Sequence, residues 1–143
     1  MTFLLDTSII SELLSEKPNP VVIHWLDAQP EETIYLSVVS LAEIKQSIEN
    51  LTDVKKKNRL NEWLQNDLLI RFSNRISEIT VSVTLKWGEL SSKMHTLGRT
   101  LSAVDSLNLA IALIYDHTLV TRDLSIFEST GVRLLNPYLD KTK

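Results

Sequence analysis

Cysteine is absent from these 143 residues. That excludes a disulfide scaffold, thiolate metal sites and a cysteine nucleophile. It also fits a reducing compartment. Glycine and proline are scarce, at three and four residues, while hydrophobic residues make up 43%. A tail or linker is therefore excluded, and the length suits one domain, 1–143, with a sizeable core. No apolar run approaches the roughly 20 residues of a membrane span. Met1-Thr2-Phe3-Leu4-Leu5-Asp6 has no basic start and meets an acid too early for a signal peptide. The expectation is a cytoplasmic protein without a membrane partner. Net charge is −3, so bulk charge does not recruit nucleic acid. Lys55, Lys56, Lys57 and Arg59 concentrate positive charge locally, and the plain reading of that run is a solvated helix face.

What is present is an alternation of strand-like and helix-like segments. Phe3–Leu5 is apolar without alternation, as in a central strand buried on both faces. Helices are predicted over 7–14, 21–28, 40–50, 54–69, 83–97, 102–115 and 124–128. Strands are predicted over 34–37, 76–81, 119–121 and 132–135, and Gly98 reads as a helix stop. This pattern predicts an α/β fold: one mainly parallel sheet of about five strands with helices on both faces. No repeat, linker or domain boundary is evident.

Four carboxylates occupy equivalent places in that pattern. Asp6 and Asp123 follow strands directly. Glu43 is predicted in the first turn of the helix after the second strand. Asp105 lies at the start of the 102–115 helix, which leads into the next strand and so runs antiparallel to the sheet. Right-handed crossovers bring all four to the carboxyl edge of the strands, where such sheets bind ligands. Each acid also has a plainer reading. Asp6 and Asp123 suit N-caps, Ser40-Leu41-Ala42-Glu43 has the form of a capping box, and Ser102-Ala103-Val104-Asp105 is a variant of one. Capping does not by itself require convergence. An all-carboxylate rim selects a hard cation, Mg²⁺ or Mn²⁺. His24, His95 and His117 have no metal-ligand spacing and read as surface or core-edge residues.

These segments resemble a PIN-domain ribonuclease of the kind that forms the toxin half of type II toxin–antitoxin modules, VapC-like and including the FitB-like branch. The resemblance runs through Leu4-Leu5-Asp6-Thr7-Ser8, Ser37 to Glu43, Gly98 to Asp105, Leu119-Val120-Thr121-Arg122-Asp123 and Leu135-Asn136-Pro137, and so covers nearly the whole chain. It implies Mg²⁺- or Mn²⁺-dependent endoribonuclease activity, with Asp6, Asp105 and Asp123 binding metal directly and Glu43 directly or through water. Thr7, Ser8 and Thr121 would be hydroxyls supporting the site, and Arg122 either a phosphate contact or a surface arginine. The implied partners are an RNA substrate, transfer RNA among the candidates, and a cognate antitoxin, on a homodimer. The antitoxin is expected over Ile9, Leu13, Trp25, Leu60 and Leu64. Two residues depart from the family pattern: Ser8 where asparagine is frequent, and Asn108 where an apolar residue is usual. Neither is expected to touch the four acids.

Two other classes compete. A phosphatase or phosphoryl-transfer domain would want a second acid two residues after Asp6, where Ser8 stands. A receiver-type domain would want paired acids and a late lysine, where the chain has Asp6 alone and Arg122. A non-catalytic binding module would use an apolar surface such as Trp25, Leu26, Trp63 and Leu64.

Overall fold

The first strand, β1 (Thr2–Leu5), has neighbours on both sides, as expected from Phe3–Leu5. Its side chains alternate between two cores. Phe3 and Leu5 join Ile9, Ile10, Trp25, Leu36 and Val120 on one face, while Leu4 joins Leu109, Ile111, Leu119 and Phe127 on the other. Leu4, Leu5, Leu119 and Val120 are fully buried. The structure is a computed structural model, and it describes residues 1–139.

Helix α1 (Thr7–Leu14) follows at once, capped by Asp6, whose carboxylate accepts from the Thr7 N–H. Helix α2 (Pro20–Ala28) opens on Asn19 with proline in its first position. Strand β2 (Ile34–Ser37) matches its prediction. Helix α3 (Val38–Glu49) starts two residues before the expected Ser40. Ser37, still extended, is the cap, and its hydroxyl accepts from the Ser40 N–H. The capping box at Ser40–Glu43 is therefore corrected: Ser40 lies inside the helix and Glu43 in its second turn, where no cap accounts for an acid.

Helix α4 (Val54–Trp63) passes into a π-helical turn, Leu64–Leu68, and then α5 (Leu69–Arg71). The Leu69 N–H reaches the Leu64 carbonyl, and the wider turn delivers Leu64, Leu68 and Phe72 to the core. Strand β3 is only Ile76–Ser77, shorter than the predicted 76–81. The alternation there is cut off because Thr80 turns its hydroxyl onto the Val83 N–H and caps α6 (Val81–Thr96). Gly98, at φ +70°, ends α6 in a Schellman turn, with Gly98 N–H to His95 O at 3.0 Å and Arg99 N–H to Met94 O at 2.8 Å.

Helix α7 (Ala103–Ile114), strand β4 (His117–Val120), helix α8 (Leu124–Phe127), strand β5 (Leu134–Leu135) and a 3-10 turn, Pro137–Leu139, follow in the described residues. The five strands run parallel in the order β3-β2-β1-β4-β5. The basic run on α4 is largely solvated, with Lys57 paired to Glu49 at 3.5 Å and Arg59 to Glu16 at 3.6 Å.

One expectation is corrected here. Ile9, Trp25 and Leu64 are buried in the chain's own core, with Trp25 packed edge-on to Phe3, so they are not available as a partner surface. His117 takes the core-edge place of its two expected ones: it is 4% exposed, stacked on Tyr115, with Thr2 Oγ1 at 2.6 Å from Nδ1 and Ser77 Oγ at 3.0 Å from Nε2. Among the described residues, no helix is long and apolar enough to cross a membrane.

Candidate active site

Strand β1 ends at Leu5 and β4 at Val120, and the Asp6 N–H extends the ladder to the Val120 carbonyl at 2.9 Å. This fixes Asp6 beside Thr121, whose hydroxyl donates to Asp6 Oδ2 at 2.8 Å. The other carboxylate oxygen accepts from the Thr7 N–H at 2.9 Å. The parallel topology puts the start of α7, with Asp105, at the same edge, and there Ser102 caps the helix by accepting from the Asp105 N–H at 3.1 Å. Glu43, on α3, accepts a hydrogen bond from the Thr7 hydroxyl.

Burial is the main cause that raises the Asp6 carboxyl above its ordinary range. The Thr121 and Thr7 donors pull it back down, and the like charges of Asp105 and Glu43 push it up again. Asp6, Glu43 and Asp105 thus share one electrostatic neighbourhood. Asp123 joins them indirectly. Its N–H donates to Thr121 Oγ1 at 3.3 Å, while its carboxylate is exposed and accepts from Ser125 Oγ at 2.9 Å. It begins α8 without giving that helix a side-chain cap. Among the described residues, no three Asp, Glu or His side chains are drawn into a ready-made ligating group. Asp6, Glu43 and Asp123 instead accept from hydroxyl donors, Thr121, Thr7 and Ser125.

Beneath the acids lies a buried polar cluster that the sequence reading missed. Ser37, Ser40 and Asn108 are buried. The Ser37 hydroxyl donates to Asn108 Oδ1 at 2.6 Å. The Asn108 amide donates to Ser40 Oγ at 3.3 Å and reaches Asp6 Oδ1 at 3.5 Å. Ser40 Oγ lies 3.1 Å from Thr7 Oγ1. The expectation that Asn108 does not touch the acids is therefore corrected. The available signal was an asparagine on an otherwise apolar helix face, one turn after Asp105, where burial demands hydrogen-bond partners. Thr7 and Thr121 do meet the acids. Ser8 does not: its Oγ is buried without a hydrogen-bond partner. Arg122 is drawn over the Tyr138 ring, 4.1 Å from its centre, and toward Glu12 at 3.8 Å.

The PIN domain family model matches residues 3–132. The plasmid stability protein StbB of Pseudomonas syringae pv. tomato is 37% identical over 135 residues, covering 94% of this chain and 97% of that protein. Toxin FitB of Neisseria gonorrhoeae is 36% identical, covering 96% and 99%. VapC ribonuclease Y4jK of Sinorhizobium fredii is 29% identical, covering 94% and 96%. Among solved structures, FitAB bound to an IR36 DNA fragment superposes with a TM-score of 0.92 at 33% identity, covering 99% of each chain. The site lies where a parallel sheet delivers its ligands, the family model spans nearly the whole chain, and the chain belongs to the PIN domain family.

Proposed function

We propose that this protein is a Mg²⁺- or Mn²⁺-dependent endoribonuclease acting as the toxin of a toxin–antitoxin pair. The observation that carries the reading is the group Asp6, Glu43 and Asp105 at the carboxyl edge, with Asp6 pushed upward in part by the other two. Two relatives support the same chemistry, since one is named a toxin and another a ribonuclease. We read residues 1–143 as one domain carrying this activity.

The donor set fits a hard divalent cation: carboxylates backed by hydroxyls, all oxygen. Asp6 would hold it from the end of β1 and Asp105 from α7, Asp123 from the turn after β4, and Glu43 directly or through water. When bound, the cation lowers the pKa of a water and offsets charge building on the phosphate. The protein's own part is orientation. Thr121 and the Thr7 N–H fix the two oxygens of Asp6, and the Thr7 hydroxyl fixes Glu43. The reaction adds water across one phosphodiester linkage and releases two RNA ends. Arg122, exposed next to Asp123, is a phosphate contact once RNA draws it from Tyr138.

The partners are RNA, transfer RNA among the candidates, and an antitoxin, in keeping with the two-component FitAB complex. A groove between α1, α3 and α4, lined by Leu14, Ile48, Leu51 and Leu60, suits an apolar antitoxin segment better than the buried residues expected earlier. Exposed Val81 and Leu85, one turn apart on α6, support a homodimer. The non-catalytic reading loses two of its four surface residues, because Trp25 and Leu64 are core.

The test is cleavage of a mixed RNA pool by purified protein in Mn²⁺, with and without EDTA. Cleavage that stops in EDTA and resumes on adding Mn²⁺ is expected. Unchanged cleavage in EDTA would overturn the metal step.

A further inference from the structure

The buried amide of Asn108 has only one orientation in which every contact is complementary. With Nδ2 toward Asp6, it donates to Asp6 Oδ1 and Ser40 Oγ, and Oδ1 accepts from Ser37. Flipped, the amide oxygen would face a carboxylate oxygen, acceptor against acceptor. Ser37 Oγ already accepts from the Ser40 N–H at 3.0 Å, so its own proton goes to Asn108. Thr7 Oγ1 lies within reach of both Ser40 Oγ and Glu43 but has one proton; the Glu43 carboxylate can only accept, so the Thr7 proton goes there and the Ser40 proton turns to Thr7 Oγ1. Each hydroxyl has one proton, and the chain of donors therefore runs one way. It starts at the N-terminus of α3, passes through Asn108, and ends on two carboxylates, Asp6 and Glu43.

We propose that Asn108 is a positioning residue for the divalent cation, locking Asp6 after β1 and Glu43 on α3 into one mutual geometry through its two amide N–H groups. This rests on the metal-dependent reading above. An apolar residue at 108 would fill the space and leave the two carboxylates to find their positions independently. Ser37 and Ser40 are the amide's built partners, since both are buried and both hydroxyls are committed to this chain. Groups that orient a metal's ligands from behind change affinity by roughly tenfold or more when removed.

The experiment is Mn²⁺ titration by calorimetry on the parent, Asn108→Leu and Ser40→Ala, with thermal unfolding in EDTA on the same samples. Asn108→Leu is expected to stay folded and to bind Mn²⁺ at least roughly tenfold more weakly. Ser40→Ala, which cuts only the link to Thr7 and Glu43, is expected to weaken binding in the same direction. The double variant should lose no more than the worse single one, because both act on one chain. A merely structural amide would move the melting temperature and leave Mn²⁺ affinity within about twofold of the parent; that result overturns the proposal. Should Asn108→Leu fail to fold, Ser40→Ala decides by the same criterion. A parent that binds no Mn²⁺ overturns the metal-dependent reading together with this one, whereas a binding parent with unaffected variants overturns this one alone.

Discussion

Thr121 donates its hydroxyl proton to Asp6 Oδ2 across 2.8 Å, so the residue after β4 holds the carboxylate after β1. Thr121 is 1% exposed, and a half-buried carboxylate that loses a donor is left partly unsatisfied. Thr121→Val keeps the shape and removes the donor. Stability without metal should fall by about 1–3 kcal/mol at neutral pH. The sign with pH follows from Asp6. The Thr121 bond lowers its pKa, so its removal raises the pKa further. The loss should shrink as acid protonates the carboxyl. Urea unfolding at neutral and acid pH measures both arms.

Asp105→Asn separates chemistry from capping. Ser102 still accepts from the backbone N–H of residue 105, so the helix start survives. One like charge near Asp6 disappears. RNA cleavage in Mn²⁺ should drop by orders of magnitude, while the melting temperature in EDTA stays level or rises. Retained cleavage sinks the assignment of Asp105 to the site. A several-degree drop in melting temperature would make Asp105 mainly structural.

His117 sits at the opposite edge from the acids and makes stability depend on pH. Burial lowers its pKa from 6.5 to about 4, only partly opposed by Asp116. Between those values the unfolded chain binds the proton and the folded one does not. The stabilisation is complete above the unfolded pKa and is lost as pH falls through about 4. This one group should cost on the order of 3 kcal/mol across that window. His117→Gln should flatten the corresponding part of a stability–pH curve measured by denaturant unfolding.

Gly98 needs its positive φ to close the Schellman turn. Gly98→Ala should cost about 1 kcal/mol and leave Mn²⁺-dependent cleavage intact, because the turn lies outside the acid group. Denaturant midpoints and cleavage rates on one preparation check the pair of outcomes.

The layered α/β architecture was readable because buried parallel strands have a plain signature: Phe3–Leu5 and Leu119–Val120 are apolar throughout. The convergence of Asp6 with Glu43 and Asp105 followed from topology. The start of α3 was misread because serines at 37 and 40 offer the same local chemistry, and only the extended backbone of Ser37 chooses between them. The π turn at Leu64–Leu68 was hidden, since helical periodicity absorbs one extra residue without a composition change. Asn108 was noticed as a departure, yet its partners lie 68 and 71 residues away. No local pattern joins them.

The first strand also sets a schedule. Strand β1 waits for β4, whose register with it pairs Thr2 with His117 and Leu5 with Val120, and Asp6 is 115 residues from Thr121. Contacts of such long range form late and cannot form at all on a chain still lacking its fourth strand. A nascent chain therefore carries Asp6 and Glu43 without Asp105 and Thr121 until most of translation is done. On the proposed reading, no complete site exists until synthesis is nearly done, because the acids that would hold the cation come together only then.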